Sequence, residues 1–117
     1  MRLWHQSLIP YLDRQHLLGQ HRECCALRGN GWGKKHSTVD YVFKYSKDNL
    51  VFYHQLVIAE MERRGYFVNP KWKEKHSHAW AGPVFPEHNR TYLFECIDLL
   101  KQKQAPMDFE KIERELL

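Results

Sequence analysis

Apolar side chains recur at helical spacing in the first quarter of the chain. The pattern predicts a first helix from about Pro10 to Arg28, because proline suits a first helical turn and Gly29 suits a helix end. The side chains expected to form its buried stripe are Leu12, Leu17, Leu18, Cys24, Cys25 and Leu27.

A second stretch with helical spacing covers residues 49–64. Asp48 is a favourable N-cap for it, and Gly65 suits its end. Residues 34–46 are rich in β-branched and aromatic groups, but no stretch of similar quality is present to pair with them as a strand. We interpret them as an ordered connection with room for one helical turn.

The last third of the chain predicts two further helices. The third runs from Pro86 or Glu87 to about Lys103 and carries an apolar row of Leu93, Ile97 and Leu100. Pro106 then interrupts the pattern, and Asp108 is expected to cap a short helix that reaches the C-terminus.

The N-terminal residues 1–9 carry apolar groups without helical spacing, which predicts an extended segment packed against the helices. Taken together, the patterns predict an all-α fold with three main helices and a short C-terminal helix. At 117 residues the chain has the size of one domain, which we expect to cover residues 1–117.

Composition and charge argue against disordered, membrane-spanning and disulfide-rich secreted proteins. The hydrophobic fraction of 43% argues against disorder. The chain has no apolar run near the ~20 residues of a membrane span, and its N-terminus lacks a signal-peptide core. Three cysteines, two of them adjacent, form no disulfide framework, so we expect a cytoplasmic protein with reduced thiols. All of the net charge of +4 lies in residues 1–58, which hold eight Lys/Arg and four Asp/Glu.

Glu23 is the most conspicuous candidate for chemistry. It lies in the first helix among basic and amide groups: Arg14, Gln15, Arg22, Arg28, Lys34 and Lys35. A solvated helix face mixes the two signs more evenly. Gly19, Glu23 and Ala26 share one face of this helix. Apart from the carboxylate this row has little bulk, which leaves room for a backbone or a ligand beside Glu23.

Other kinds of site have weaker support. His21 has helical spacing to Cys24 or Cys25, but the chain lacks the paired ligand units of a typical zinc site, so we predict no metal. Phosphate-binding glycine patterns and Ser-His-Asp arrangements are also missing. The pair Lys34-Lys35, with Trp32 close by, fits contacts to a nucleic-acid backbone.

Residues 13–23, DRQHLLGQHRE, resemble the helix-one signature of the pyrimidine-dimer DNA glycosylases of the phage endonuclease V type. The resemblance to this family also covers residues 36–66 and the PEHN stretch at 86–89. The most specific element is Gln15-His16-Leu17 followed by Arg22-Glu23.

This resemblance implies a DNA repair glycosylase with abasic-site lyase activity, acting on damaged or abasic double-stranded DNA as a monomer. It implies an N-terminal segment threaded between the helices, whose α-amine, on Met1, forms an imine with C1′ of the damaged nucleotide. Glu23 would be the catalytic carboxylate, and Gln15 and Arg22 would contact DNA. Arg2 would match the arginine beside the nucleophile, and no metal or cofactor would be needed.

The sequence departs from the family pattern at three places. Arg2 is too large for ordinary methionine removal, so Met1 is expected to stay. Ala26 occupies the position of a third basic contact, and MDFEKIERELL replaces an aromatic C-terminal tail. Two alternatives remain: a non-catalytic nucleic-acid-binding module of the same fold, and a metal-dependent nuclease with His and Cys ligands.

Overall fold

The computed structural model describes residues 2–34, 38–74 and 82–117. These ranges contain four α-helices and no β-strand: α1 (Arg14–Arg28), α2 (Lys47–Arg63), α3 (Arg90–Gln102) and α4 (Phe109–Leu116). They also contain three short 3-10 helices, namely Gln6–Tyr11, Asp40–Lys44 and Pro70–Trp72. The prediction of an all-α fold with three main helices and a short C-terminal one is confirmed. No helix in these ranges combines the length and the apolar character needed to cross a lipid bilayer.

The first helix starts later than predicted. Pro10 lies inside the 3-10 helix Gln6–Tyr11, and the backbone of Leu12 is extended, with ψ of 139°. α1 begins only after Asp13, whose carboxylate accepts a hydrogen bond from the His16 amide at 3.4 Å. An N-cap acid satisfies a backbone donor that the first helical turn leaves open, and its charge suits the positive end of the helix dipole. Gly29 follows the last helical residue, as expected.

The cap of α2 also differs from the prediction. The Ser46 hydroxyl accepts a hydrogen bond from the Asp48 amide at 3.2 Å, so Ser46 is the N-cap and Asp48 lies in the first turn. A carboxylate in the first turn is still favourable because it complements the helix dipole. Gly65 follows the helix end with φ of +83°, a conformation in which glycine is least strained.

The start of α3 was predicted too early. Phe85 and His88 are buried, and a turn joins the Phe85 carbonyl to the His88 amide at 3.0 Å. The helix begins after Asn89, whose side chain accepts from the Tyr92 amide at 2.9 Å. By contrast, Asp108 caps α4 as predicted, since its carboxylate accepts from the Lys111 amide at 3.0 Å.

The hydrophobic core lies where α1 and α2 pack against each other, and the buried side chains of α3 belong to the same core. Of the predicted stripe on α1, Leu18 and Cys25 are only half-buried. The buried apolar residues of the three helices are Leu17, Cys24, Leu27, Leu50, Tyr53, Val57, Ile58, Met61, Leu93, Cys96, Ile97 and Leu100.

The N-terminal segment, residues 2–5, is held by one polar side chain from each main helix. From α1, Gln20 donates to the Arg2 carbonyl at 2.8 Å and accepts from the Trp4 amide at 3.0 Å. From α2, the Tyr53 hydroxyl donates to the Trp4 carbonyl at 2.7 Å. From α3, the Tyr92 hydroxyl donates to the carbonyl of residue 3 at 2.6 Å. The segment is non-helical and packed between the helices, as the resemblance implied. The prediction of an extended segment over residues 1–9 is wrong for its second half, because the His5 side chain accepts from the Ser7 amide and caps a 3-10 helix that begins at Gln6.

Candidate active site

A pocket of about 360 Å³ lies where the N-terminal segment crosses α1 beside the end of α3. Its walls come from α1, from the N-terminal segment and from three residues elsewhere in the chain. The lining residues are Gln15, His16, Gly19, Gln20 and Glu23 of α1, Arg2 and Trp4 of the N-terminal segment, and Thr38, Leu99 and Lys103.

Among the described residues that line this pocket, Glu23 alone carries a carboxyl group. Its side chain is buried, with 5% of its surface exposed. It lies one helical turn after Gly19 and Gln20, so the three form one patch of the wall. A Cβ atom built on Gly19 would meet nothing nearer than the Arg22 Nη2, at 3.8 Å. Glycine at this position therefore keeps open space beside the carboxylate.

Two cationic side chains share the pocket with Glu23. The guanidinium of Arg2 lies 6.0 Å from the centre of the Trp4 ring and 5.8 Å from that of Tyr92, and it pairs with Glu95 at 3.3 Å. The ammonium of Lys103 lies 5.9 Å from the Trp4 ring. Cations near a ring face are attracted by its electron density, so Trp4 orders both charges. The pocket is suited to an anionic ligand such as a phosphodiester.

His16 is fixed at the same wall by an acid outside the pocket. Its Nδ1 lies 2.6 Å from the Asp13 Oδ1, and its ring meets the Trp4 ring edge-on with centroids 5.9 Å apart. The residue that caps α1 thus also orients an imidazole towards the pocket. One acid serves both purposes because the N-cap and the third helical residue lie on the same side of the helix.

The structure brings together most of the predicted site residues that it describes. Arg2, Gln15 and Glu23 line the pocket, and the Arg22 guanidinium reaches over Gly19 at its edge. Lys34 is exposed in the loop after α1 and does not line the pocket. Two further predicted residues, Met1 and Lys35, lie outside the described residues.

Sequence reasoning did not assign five of the lining residues to a site: Trp4, Gln20, Thr38, Leu99 and Lys103. Gln20 had a weak signal, because it lies three positions before Glu23 and so shares its helix face. Thr38 and Lys103 had none, since the fold brings them to the pocket from distant parts of the chain.

Comparison with known proteins gives one match. A family model described as pyrimidine dimer DNA glycosylase matches residues 1–74. The matched region includes the N-terminal segment, α1 with Glu23, and α2. Neither the curated proteins nor the solved structures contain a match to this chain.

Proposed function

Because this chain belongs to the pyrimidine dimer DNA glycosylase family, we propose that it is a DNA repair glycosylase that also cleaves the strand at abasic sites. The observation that carries the proposal is the position of Glu23. It is buried in a pocket whose wall also contains Arg2, the first described residue of the chain. A buried carboxylate that shares a pocket with Arg2 supports imine chemistry by the α-amine of the adjacent Met1.

We assign the nucleophile to the α-amine of Met1, which is covalently joined to Arg2. An α-amine has a pKa of about 8 against about 10.4 for lysine, so roughly a tenth of it is free base at pH 7. The support is the tether formed by Gln20, which holds the Arg2 carbonyl on α1 one turn before Glu23. Holding a nucleophile in place in advance lowers the entropic part of the barrier.

The proposed reaction begins with attack of the neutral amine on C1′ of the damaged nucleotide. The amine bonds to C1′ as the C1′–N bond to the base breaks, and the base leaves with the proton that the amine loses. The C1′–O4′ bond then opens, O4′ takes up a proton, and an iminium ion forms between the amine nitrogen and C1′. Loss of a proton from C2′ then expels the 3′ phosphate by β-elimination, which cuts the strand. Hydrolysis of the remaining imine releases the enzyme.

Glu23 has two roles in this scheme. Its negative charge stabilises the iminium ion, and the effect is larger in a pocket that excludes water than it would be in solution. Its carboxylate also accepts a proton during elimination. A residue with 5% exposure is suited to the first role because little solvent screens it.

The substrate we propose is damaged or abasic double-stranded DNA. Arg2 and Lys103 line the pocket and Arg22 reaches its edge, so their charges can face phosphates on either side of an opened nucleotide. Gln15, also in the wall, can bond to a base or a sugar. The damaged site must be opened or bent, because a regular duplex keeps C1′ out of reach of a nucleophile held at this pocket.

Glu23→Gln tests the role of the carboxylate on a duplex with one abasic site. We expect strand cleavage to fall by at least about 10²-fold with DNA binding nearly unchanged, because a positioned acid–base group is removed and the shape is kept. The matched control is Glu62→Gln, since Glu62 is exposed on α2 and pairs with Lys73. Equal cleavage by Glu23→Gln and the wild type would contradict the assignment.

Borohydride trapping tests the nucleophile. We expect the wild type to form a covalent adduct on residues 1–2 and N-terminally acetylated protein to form none. Lys103→Arg keeps the pocket charge but removes a second candidate amine, so its trapping should be unchanged. An adduct on Lys34, Lys35 or Lys103 would contradict the assignment to Met1.

The same assays separate the alternatives. DNA binding without any trapping would indicate a non-catalytic binding module. Cleavage that EDTA abolishes would indicate a metal-dependent nuclease.

A further inference from the structure

Three potential metal ligands converge between α1 and α2, away from the pocket. His21 and Cys25 lie one turn apart on α1, and His54 lies on α2. The ligand atoms of the three lie within 4.8 Å of one another. None of the three lines the pocket that contains Glu23. The proposed DNA chemistry therefore leaves this cluster unexplained.

The hydrogen bonds define the protonation of both imidazoles. Arg28 can only donate, and its Nη1 lies 3.0 Å from the His54 Nδ1, so that nitrogen accepts. The proton of a neutral His54 is then on Nε2, which donates to the His21 Nδ1 at 2.8 Å. An imidazole with an accepting nitrogen is neutral, so both rings are in the form that binds metals.

The spacing of the donors is close to that of a tetrahedral zinc site. Bond lengths of ~2.0 Å to nitrogen and ~2.3 Å to sulfur place tetrahedral ligands roughly 3.3 Å (N to N) and 3.6 Å (N to S) apart. The Cys25 Sγ lies 3.9 Å from both the His21 Nδ1 and the His54 Nε2. The two nitrogens, 2.8 Å apart, share a proton where the ion would sit. Replacing that proton by a metal requires shifts of only about half an ångström.

We propose that His21, Cys25 and His54 form a binding site for a borderline divalent cation such as Zn²⁺. The half-buried His21 and Cys25 leave a fourth position for water. Three protein ligands with an open position are the arrangement of sites where zinc binds an exchangeable ligand.

The binding step balances with one released proton. Burial raises the pKa of the Cys25 thiol, so the metal displaces the thiol proton and forms a metal–thiolate bond. The His54 proton moves from Nε2 to Nδ1, which frees Nε2 for the metal. Arg28 then loses its contact with Nδ1. It keeps two acceptors, the Trp72 carbonyl at 2.9 Å and the Glu74 carboxylate at 3.0 Å.

The bound ion would tie α1 to α2, the two helices that form the centre of the core. The three ligands do not match the sequence spacings of typical zinc sites, because two of them come from one helical turn and the third from another helix. Our sequence-based prediction of no metal rested on those rules.

Cobalt binding tests the proposal on the full-length protein. A Co²⁺–thiolate bond gives a charge-transfer absorption that imidazole ligands alone do not give. We expect the wild type to bind one Co²⁺ with this absorption and to lose it when Zn²⁺ is added in equal amount. The Cys25→Ser variant should show no such absorption. Its Zn²⁺ affinity should fall by more than about 10²-fold, because loss of a group that only orients a metal ligand already costs up to that factor.

Cys24→Ala is the matched control, because Cys24 is adjacent in sequence but fully buried in the core. Cys24→Ala should keep the Co²⁺ charge-transfer absorption and the Zn²⁺ affinity of the wild type. Circular dichroism of each variant checks that the helices are intact. Absence of the absorption in the wild type, or its survival in folded Cys25→Ser, would overturn the proposal.

A second measurement does not depend on any variant. Zinc titration of the wild type at pH 7 in weak buffer should release close to one proton per ion, from the Cys25 thiol. Stoichiometric binding without proton release would overturn the assignment of the thiolate.

Discussion

The space beside Glu23 depends on a single glycine. Gly19 lies in the middle of α1, where glycine is intrinsically unfavourable, and the room for a Cβ there is open. Gly19→Ala should therefore raise the free energy of unfolding by about 0.5–1 kcal/mol in urea titration. We infer that the glycine is present because the pocket needs the volume.

Gly19→Leu separates stability from function at the same position. A leucine side chain would occupy the pocket, so trapping on abasic DNA should fall on the order of 10²-fold, the scale of a misplaced reacting group. The helices should remain intact. Ala26→Leu is the matched control, because Ala26 is exposed on the same helix and does not line the pocket. Equal trapping by the two leucine variants would show that DNA does not use this space.

At the residue scale, sequence alone identified Glu23, because a single acid among bases is visible without a structure. Of the predicted row, Gly19 and Glu23 line the pocket, but Ala26 is exposed and does not line it. Sequence alone did not identify Lys103, because nothing local links the end of α3 to α1. Side chains that meet only through tertiary packing leave no periodic signal.

At the element scale, the N-terminal segment depends on buried hydrogen bonds rather than on regular structure. The Tyr53 hydroxyl is fully buried and donates to the Trp4 carbonyl. Tyr53→Phe would leave that carbonyl without its donor, so we expect a loss of about 1–3 kcal/mol in the free energy of unfolding. Hydrogen exchange should show faster opening at the Trp4 amide.

Tyr45→Phe is the control for the Tyr53 variant. The Tyr45 hydroxyl bonds to the carboxylate of Glu87 near the surface, where water can replace it. Loss of this hydrogen bond in Tyr45→Phe should therefore lower the free energy of unfolding much less than Tyr53→Phe does. An equal loss of unfolding free energy in the two variants would show that the buried hydrogen bond of Tyr53 does not stabilise the N-terminal segment more than a surface hydrogen bond would.

Helix positions were predictable from periodicity, but the starts of the three main helices were not. Ser46 and Asp48 are both good N-cap residues, and local sequence alone does not choose between them. Pro10 suits a first helical turn equally well in a 3-10 helix and in an α-helix. Ahead of α3, the buried Phe85 and His88 flank the residues that were predicted to start the helix.

At the scale of the whole molecule, the excess positive charge lies in the half of the chain that contains Glu23, but the pocket has residues from both halves. Residues 1–58 hold all of the net charge of +4 and contain Glu23. Lys103 comes from the electrically balanced second half, yet it lines the same pocket. The pocket is thus a product of the fold, and its cations come from both halves.

Two buried histidines couple the stability of the whole fold to pH. His54 packs against His21 and Arg28, and burial together with these neighbours lowers its pKa to about 3. His88 accepts from the Gln6 amide through Nδ1 and bonds to the Tyr41 hydroxyl through Nε2. Burial, together with the nearby His5, lowers the pKa of His88 to about 3. The ordinary histidine value is 6.5, so the folded chain stays neutral at these positions where the unfolded chain is protonated.

The unfolded state therefore binds more protons between pH 6.5 and pH 3, and stability must fall as the pH falls through that window. The limiting slope is ~1.4 kcal/mol per pH unit for each histidine. Urea unfolding at pH 7 and pH 5 measures this change in the free energy of unfolding, in a pH range where most carboxylates stay ionised. We expect the free energy of unfolding of His88→Gln to fall less between pH 7 and pH 5 than that of the wild type, because one of the two protonation differences is removed. This difference does not depend on how stable the variant is at pH 7. Equal stability of the wild type at the two pH values would show that these histidines are not held neutral by the fold.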